Sequence, residues 1–401
     1  SAEEAQRLVN GGISSVAHRP VLPMGPQIKL SPGTSVVVMI LESFSWEYTG
    51  LKRGPEKSFT PFLDRLMKKS LVFERAMANG RRSSEGVAAL LSGIPALMEE
   101  PFITSEFSVN PFEGLGLAFS RAGYQTSFYH GGQNGTMHFD AFTARAGFQK
   151  YFGSQEYPEK ERDFDGVWGI WDRPYLQYFA NQLDQMGSPF LSVVFTLSSH
   201  QPYKIPVGEP FAAEPGEHPI LKAVRYADSA LQDFFATAEK KSWFENTLFV
   251  IVADHTGPSL EVNETHPLAP YRIPLLFYHP KISAWPQALD RRALVQQIDL
   301  PASLYDLLGI QGSSTWLSRS AFKVGPRTFT AFIPGQYLHT DGQEILVERN
   351  QQVEVFDFDG TEKNRQDSPE LQQTLKAVKE IFSRGLWDRS LYHETSSALP
   401  P

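Results

Sequence analysis

The stretch SVVVMILES, residues 35–43, decides the fold. Its apolar, largely β-branched residues run without polar alternation, the pattern of a strand buried on both faces of a parallel sheet. The run ends on Glu42, which places a carboxylate at the carboxyl end of that strand. Downstream, TPFLDRLMKKS (60–70) predicts a helix and LVFERAMA (71–78) a short strand. The glycine-bounded NGRRSSEG (79–86) then leads into VAALLSGIPAL (87–97), which has helical composition and closes at Gly93 and Pro95. Ser83 and Ser84 therefore stand where a loop enters a helix. Further strands are predicted at YQTSFYH (124–130), PFLSVVFTLS (189–198) and TLFVIVAD (247–254), each after a helical pattern. This alternation predicts an α/β fold with a mostly parallel central sheet flanked by helices.

After IPLLFYHP (273–280) and the amphipathic QQIDLPASLYDLLGI (296–310), the pattern changes. RTFTAFI (327–333), EILVERN (344–350) and VEVFDFD (353–359), separated by turn signals such as TDG and FDG, predict a small antiparallel sheet. PELQQTLKAVKEIFSRGLW (369–387) returns to a helical period and is expected to pack on that sheet. The expected organisation is a lead-in segment (1–34), a catalytic domain (35–325) and a C-terminal α+β subdomain (326–401).

The composition narrows the function. A net charge of −8 with no Lys/Arg run excludes a sequence-independent electrostatic grip on nucleic acid. The cysteine count of 0 excludes disulfides, thiolate nucleophiles and cysteine-based zinc sites, so any metal has oxygen and nitrogen ligands. No apolar run approaches the roughly 18 to 20 residues of a spanning helix. The start, SAEEAQRLVNGG, shows neither an initiator Met nor a signal-peptide pattern, and reads as an excised soluble part whose anchor, if any, lies upstream of Ser1.

Ligands in open α/β sheets bind at the carboxyl ends of the strands. Glu42, Ser83, His200 and the pair Asp254 and His255 all stand at such ends or at the helix start. Carboxylates, a hydroxyl and an imidazole suit one divalent cation such as Mn²⁺ or Mg²⁺, with Zn²⁺ open. Such an ion would lower the pKa of the Ser83 hydroxyl and neutralise charge on a phosphoryl group. The helix start adds backbone N–H donors, and Arg81 and Arg82 add positive charge. Singly, each residue has a plainer reading: Ser83 as a helix cap, Asp254 as a turn cap, the histidines as surface groups. The conjunction favours chemistry.

The order Leu-Glu-Ser-Phe (41–44), Gly-Arg-Arg-Ser-Ser-Glu-Gly (80–86), Ser-Ser-His-Gln-Pro-Tyr (198–203) and Ala-Asp-His-Thr-Gly (253–257) resembles the lipoteichoic acid synthase family of phosphoglycerol transferases, in the alkaline phosphatase/sulfatase superfamily. The resemblance runs from about Ser35 to Gly309. It implies Glu42, Ser83, Asp254 and His255 as ligands of a Mn²⁺ ion, with Ser83 as nucleophile because it directly follows the basic residue. It makes His200 the residue that contacts phosphate or works as acid/base. VEVFDFDGTEKN (353–364) resembles the C-terminal subdomain of sulfatase-like enzymes.

The departures bear on substrate. Where the polymerising enzymes carry Asp, Trp and Arg for the glycerol-phosphate group, HGGQNGTMHFD (130–140) puts Gly132, Met137 and Phe139. His130, Asn134 and His138 follow a strand on the expected active edge and are candidate pocket residues, equally readable as a glycine-rich turn. His266 reads more simply as a loop residue. The aromatic cluster DGVWGIWDRPY (165–175) either roofs the site or packs.

The implied reaction moves phosphoglycerol from a phospholipid such as phosphatidylglycerol, through Ser83, to a glycan or polyol-phosphate acceptor. It would take place outside the cytoplasm and close to a membrane. A phosphoethanolamine transferase or a phosphodiesterase would use the same ligand set, although the former commonly carries disulfides. A sulfatase needs Cys/Ser-x-Pro-x-Arg at its nucleophile, and Ser83 is followed by Ser-Glu-Gly. A non-catalytic glycan- or lipid-binding protein on this fold is the reading from another class.

Overall fold

The structure, a computed structural model, describes residues 29–261, 265–282, 285–286, 289–363 and 368–394. Of the expected lead-in, residues 1–28 lie outside the described residues. In chain order the strands are β1 (Ser35–Leu41), β2 (Leu71–Val72), β3 (Arg75–Met77), β4 (Gln125–His130), β5 (Lys150–Phe152), β6 (Phe190–Phe195), β7 (Thr247–Ala253) and β8 (Leu275–Tyr278). They continue with β9 (Leu294–Gln296), β10 (Ser313–Thr315), β11 (Phe329–Ile333), β12 (Gln336–Thr340), β13 (Glu344–Arg349), β14 (Gln352–Asp357) and β15 (Tyr392–Glu394).

The central sheet has the order β2-β8-β7-β1-β6-β4-β5. From β7 to β5 all neighbours are parallel, and β8 runs antiparallel to both β7 and β2. β1 lies in the middle, with Met39 paired to Val194 on one side and Ile251 on the other. Every residue of β1 and β7 is buried, as continuous apolar runs require when helices cover both faces. Helix Ile220–Ala238 supplies one cover: Val224, Ala227, Leu231, Phe234 and Ala238 recur at helical spacing and are buried. Phe234 stacks on Phe179 of helix Asp172–Leu183 at a centroid distance of 5.7 Å.

LVFERAMA divides into β2 and β3. The second piece leaves the main sheet and pairs in parallel with β9. Helix Ser83–Ser92 begins earlier than its apolar run, because Glu85 accepts from the backbone N–H of Arg81 at 2.7 Å and Arg82 at 3.0 Å and so caps it. All ten of its residues are buried, and Gly93 ends it in the left-handed region at φ 69°.

The C-terminal sheet is the antiparallel meander β11-β12-β13-β14, which has one strand more than predicted. Helix Pro369–Trp387 does two things. Leu371 and Leu375 pack with Leu346 of β13, as expected, while Ala377, Val378, Ile381, Phe382 and Leu386 join the main core. β15 then pairs with β10, tying the chain end to the main body. No helix among the described residues is long and apolar enough to cross a membrane.

Candidate functional site

Two strand ends and one helix start meet at the carboxyl edge of the sheet. Glu42 follows β1 and Asp254 follows β7, the strand beside it, while helix Ser83–Ser92 lies across their ends. The approach is close enough that a Cβ at Gly86 would collide with the backbone of Asp254. Glycine at that turn is what lets Ser83 reach the strand ends.

The four side chains converge. Ser83 Oγ lies 3.2 Å from Glu42 Oε2 and 3.4 Å from His255 Nε2. His255 Nε2 lies 3.3 Å from Asp254 Oδ2 and 3.7 Å from Glu42 Oε1. Glu42, Ser83 and Asp254 are buried, and His255 is nearly so. The backbone N–H groups of Ser43 and His255 both donate to Asp254 Oδ1 at 2.8 Å, and Ser43 Oγ donates to Glu42 Oε1 at 2.6 Å. These bonds hold Ser43 at φ 56°, a conformation that costs a non-glycine residue about 1 kcal/mol.

Glu42, Asp254 and His255 offer ligand atoms within 4.8 Å of one another. The set fits a cation on three grounds. Asp254 Oδ2 is buried and has no hydrogen-bond partner. His255 Nδ1 faces the Thr256 carbonyl at 2.8 Å, so that nitrogen carries the proton and Nε2 turns its lone pair toward the two carboxylates. Burial and then the neighbouring Glu42 push the Asp254 carboxyl up to about 7, so a cation seated among these groups would favour its charged form. Burial pulls the His255 imidazole down, but Asp254 and Glu42 outweigh it and its pKa stands above the ordinary histidine value.

His200 stands apart from this cluster, on the loop after β6. Ser199 Oγ donates to the Glu42 carbonyl at 2.6 Å, fixing the loop to the end of β1. His200 Nδ1 donates to the Gln201 carbonyl at 2.8 Å, which leaves Nε2 outside that bond. The Trp168 indole packs edge-on against the imidazole at 4.5 Å and donates to the same carbonyl at 2.7 Å. Of the aromatic cluster, Trp168 is therefore the residue that packs on His200.

Sequence reasoning missed Asp172. Its buried carboxylate accepts from the N–H of Leu197 at 2.7 Å and of Ser198 at 3.1 Å, and so positions the loop that carries His200. Burial pushes it up to about 6. The only signal was an acid at a helix start beside the tryptophans.

His130 is fully buried at the end of β4, stacked on Phe195 at 4.8 Å with Nδ1 3.3 Å from the Phe195 carbonyl. Burial lowers it to about 4, so it is neutral at neutral pH. Arg82 and Asn134 are not brought into the cluster. The Arg82 guanidinium bonds the Glu85 carboxylate and the Glu99 carbonyl, and Asn134 donates to Glu156 at 3.0 Å. His138 is exposed, and His266 Nε2 lies 3.1 Å from the Phe358 carbonyl, at the junction with the C-terminal sheet.

With this geometry in place, the comparison with known sequence families is decisive: the sulfatase family matches residues 34–310. The chain belongs to the sulfatase family. Among curated proteins it is 24% identical over 339 residues to the lipoteichoic acid synthase-like YvgJ of Bacillus subtilis, covering 78% of this chain and 54% of that protein. The chain thus spans about half the length of that relative. Among solved structures, an alkaline phosphatase superfamily protein from Vibrio parahaemolyticus superposes with a TM-score of 0.81 at 23% identity, covering 98% of both chains. The lipoteichoic acid synthase LtaP of Listeria monocytogenes superposes with a TM-score of 0.76 at 16% identity, covering 97% of this chain and 98% of that one. Both show that this sulfatase-family chain has the alkaline phosphatase-like α/β fold.

Proposed function

We propose that this sulfatase-family chain is a phosphotransferase that moves phosphoglycerol from phosphatidylglycerol, through Ser83, to a hydroxyl of a glycan or polyol-phosphate acceptor. The observation that carries it is the convergence of Ser83 Oγ, Glu42, His255 and the unpartnered Asp254 Oδ2 at the sheet edge. The likeness to a lipoteichoic acid synthase-like protein supports a transferase of this class.

Glu42, Ser83, Asp254 and His255 would hold one divalent cation, Mn²⁺ in this reading, which lowers the pKa of the Ser83 hydroxyl and neutralises phosphoryl charge. Ser83 Oγ, as the alkoxide that the lowered pKa supplies, forms a bond to phosphorus as the bond from phosphorus to the diacylglycerol oxygen breaks, and it departs again as the alkoxide in the second displacement. His200, as the imidazolium, gives that oxygen a proton from Nε2. It recovers a proton from the acceptor hydroxyl when that oxygen displaces Ser83 and frees the product. The start of helix Ser83–Ser92 favours the phosphate charge throughout. Arg82 would reach the substrate only by leaving Glu85, whereas His130 and Asn134 would shape the pocket wall behind His200. The reading places the chemistry in residues 35–325, gives 326–401 a supporting role, and sets the domain outside the cytoplasm near a membrane.

The test is release of diacylglycerol from labelled phosphatidylglycerol by the purified chain with Mn²⁺, beside Ser83→Ala and a chelated control. Release that needs both Ser83 and metal supports the proposal. Metal-dependent release from phosphatidylethanolamine alone would move the reading to a phosphoethanolamine transferase, and metal binding without turnover of either lipid would oppose both.

A further inference from the structure

A second cleft, of about 580 Å³, opens between the edge of the main body and the C-terminal sheet, and none of Glu42, Ser83, Asp254 or His255 lines it. Its wall gathers Lys52, Arg75, Arg272 and Arg292. Arg75 and Arg272 are partly buried in the wall, while Lys52 and Arg292 are exposed at the rim. None of the four makes an ion pair with an acid among the described residues.

Arg272 donates to the Glu74 carbonyl at 2.7 Å, but its Nε is buried with no partner. Arg75 lies over the Phe358 ring at 4.3 Å, an arrangement that occupies the flat face of the guanidinium and leaves its N–H edge available. Burial and then Arg292 lower the pKa of Arg75, and burial and then Arg75 lower that of Arg272. Arg292 thus acts on Arg75 and Arg75 on Arg272, each opposed more weakly by Asp290 or Glu74. Acids do face the cleft. However, Asp357 is bonded to Lys363 at 2.7 Å, Asp359 accepts from the Thr361 N–H at 2.9 Å, and Glu74 is exposed. Like charges held together beside an orphaned buried donor cost free energy that a bound anion would recover.

We propose that this cleft binds a phosphate-bearing ligand, with Arg75, Arg272, Arg292 and Lys52 gripping a phosphate carried on a polyol chain or on a lipid headgroup. Arginine's planar fork suits a phosphate's oxygens, and the rim cations attract it from solvent. The choice of a polyol-phosphate or lipid ligand rests on the phosphotransferase reading, whereas the anion site stands without it.

The experiment uses the Ser83→Ala chain, which cannot consume its probes. Two are measured: a labelled glycerol-phosphate oligomer by fluorescence anisotropy, and phosphatidylglycerol vesicles, against phosphatidylcholine, by co-sedimentation. Adding Lys52→Glu and Arg292→Glu at the exposed rim should weaken one anionic probe by about tenfold or more, with an unchanged melting curve. Arg75→Gln should weaken the same probe. Loss for the oligomer alone assigns a polyol-phosphate chain, and loss for the vesicles alone assigns a headgroup. Unchanged binding of both probes in the rim variant overturns the proposal, while diacylglycerol release by the parent chain reports separately on the reaction.

Discussion

Glu42, Ser83 and Asp254 stand on strand ends and a helix start that are buried, whereas His200, Trp168 and Asn134 stand on loops whose side chains reach solvent. The first group is fixed by the sheet itself, since β1 and β7 pair along their whole length and set Glu42 and Asp254 side by side. The second depends on side-chain struts, with Asp172 holding Leu197 and Ser198 and Trp168 leaning on His200. On the phosphotransferase reading, the groups that would hold a cation stand on rigid elements, and His200, which would move a proton, stands on a loop.

The contrast can be broken most severely at the rigid side. Ser83→Ala should lower diacylglycerol release by about a thousandfold or more, while the circular dichroism melting curve stays put, because a nucleophile contributes to the reaction and little to the fold. Gly86→Ala should cost about 3 kcal/mol of stability or displace the helix, because the added methyl meets the Asp254 backbone, and Mn²⁺ affinity measured by calorimetry should fall with it.

A pH titration sharpens the comparison from the core behind His200. Burial lowers His130 to about 4, below its unfolded value near 6.5. Between those values the unfolded chain binds the extra proton, so His130 contributes stability that is present above pH 6.5 and is lost as pH falls toward 4. About 2 kcal/mol should disappear between pH 6.5 and pH 5, and His130→Gln should flatten that part of a denaturant-melting series. At the strut, Asp172→Asn should lower kcat by about tenfold with little change in metal affinity, because it loosens the loop that carries His200 and leaves the strand ends alone. The smallest effect belongs to Asn134→Ala, within about twofold in kcat/KM, since that side chain bonds Glu156.

Much of this architecture was legible in the sequence because the central strands are long, apolar and unalternating. β1, β4, β6 and β7 fall within the runs that predicted them. β5, β9, β10 and β15 were not legible, since three residues carry no periodicity and their pairing partners are remote in sequence. β12 was missed because Gln336–Thr340 places mixed polar residues between two turns and reads as a connection. For the site, the signal lay in polar residues stopping apolar runs, which brought Glu42, Asp254 and His255 to one edge. Arg82 stands beside the candidate nucleophile in sequence, but the sequence did not show that its guanidinium is engaged by Glu85, which caps the helix three residues on. Asp172 was invisible for the complementary reason: its partners lie 25 and 26 residues away and are backbone groups.

The most direct test of the central claim is intact-protein and peptide mass spectrometry of the chain quenched during reaction with phosphatidylglycerol and Mn²⁺. The account predicts an added mass of one phosphoglycerol group on the peptide that contains Ser83, absent from Ser83→Ala and from the chelated control. Diacylglycerol release with the adduct on another residue, or release undiminished in Ser83→Ala, would contradict it.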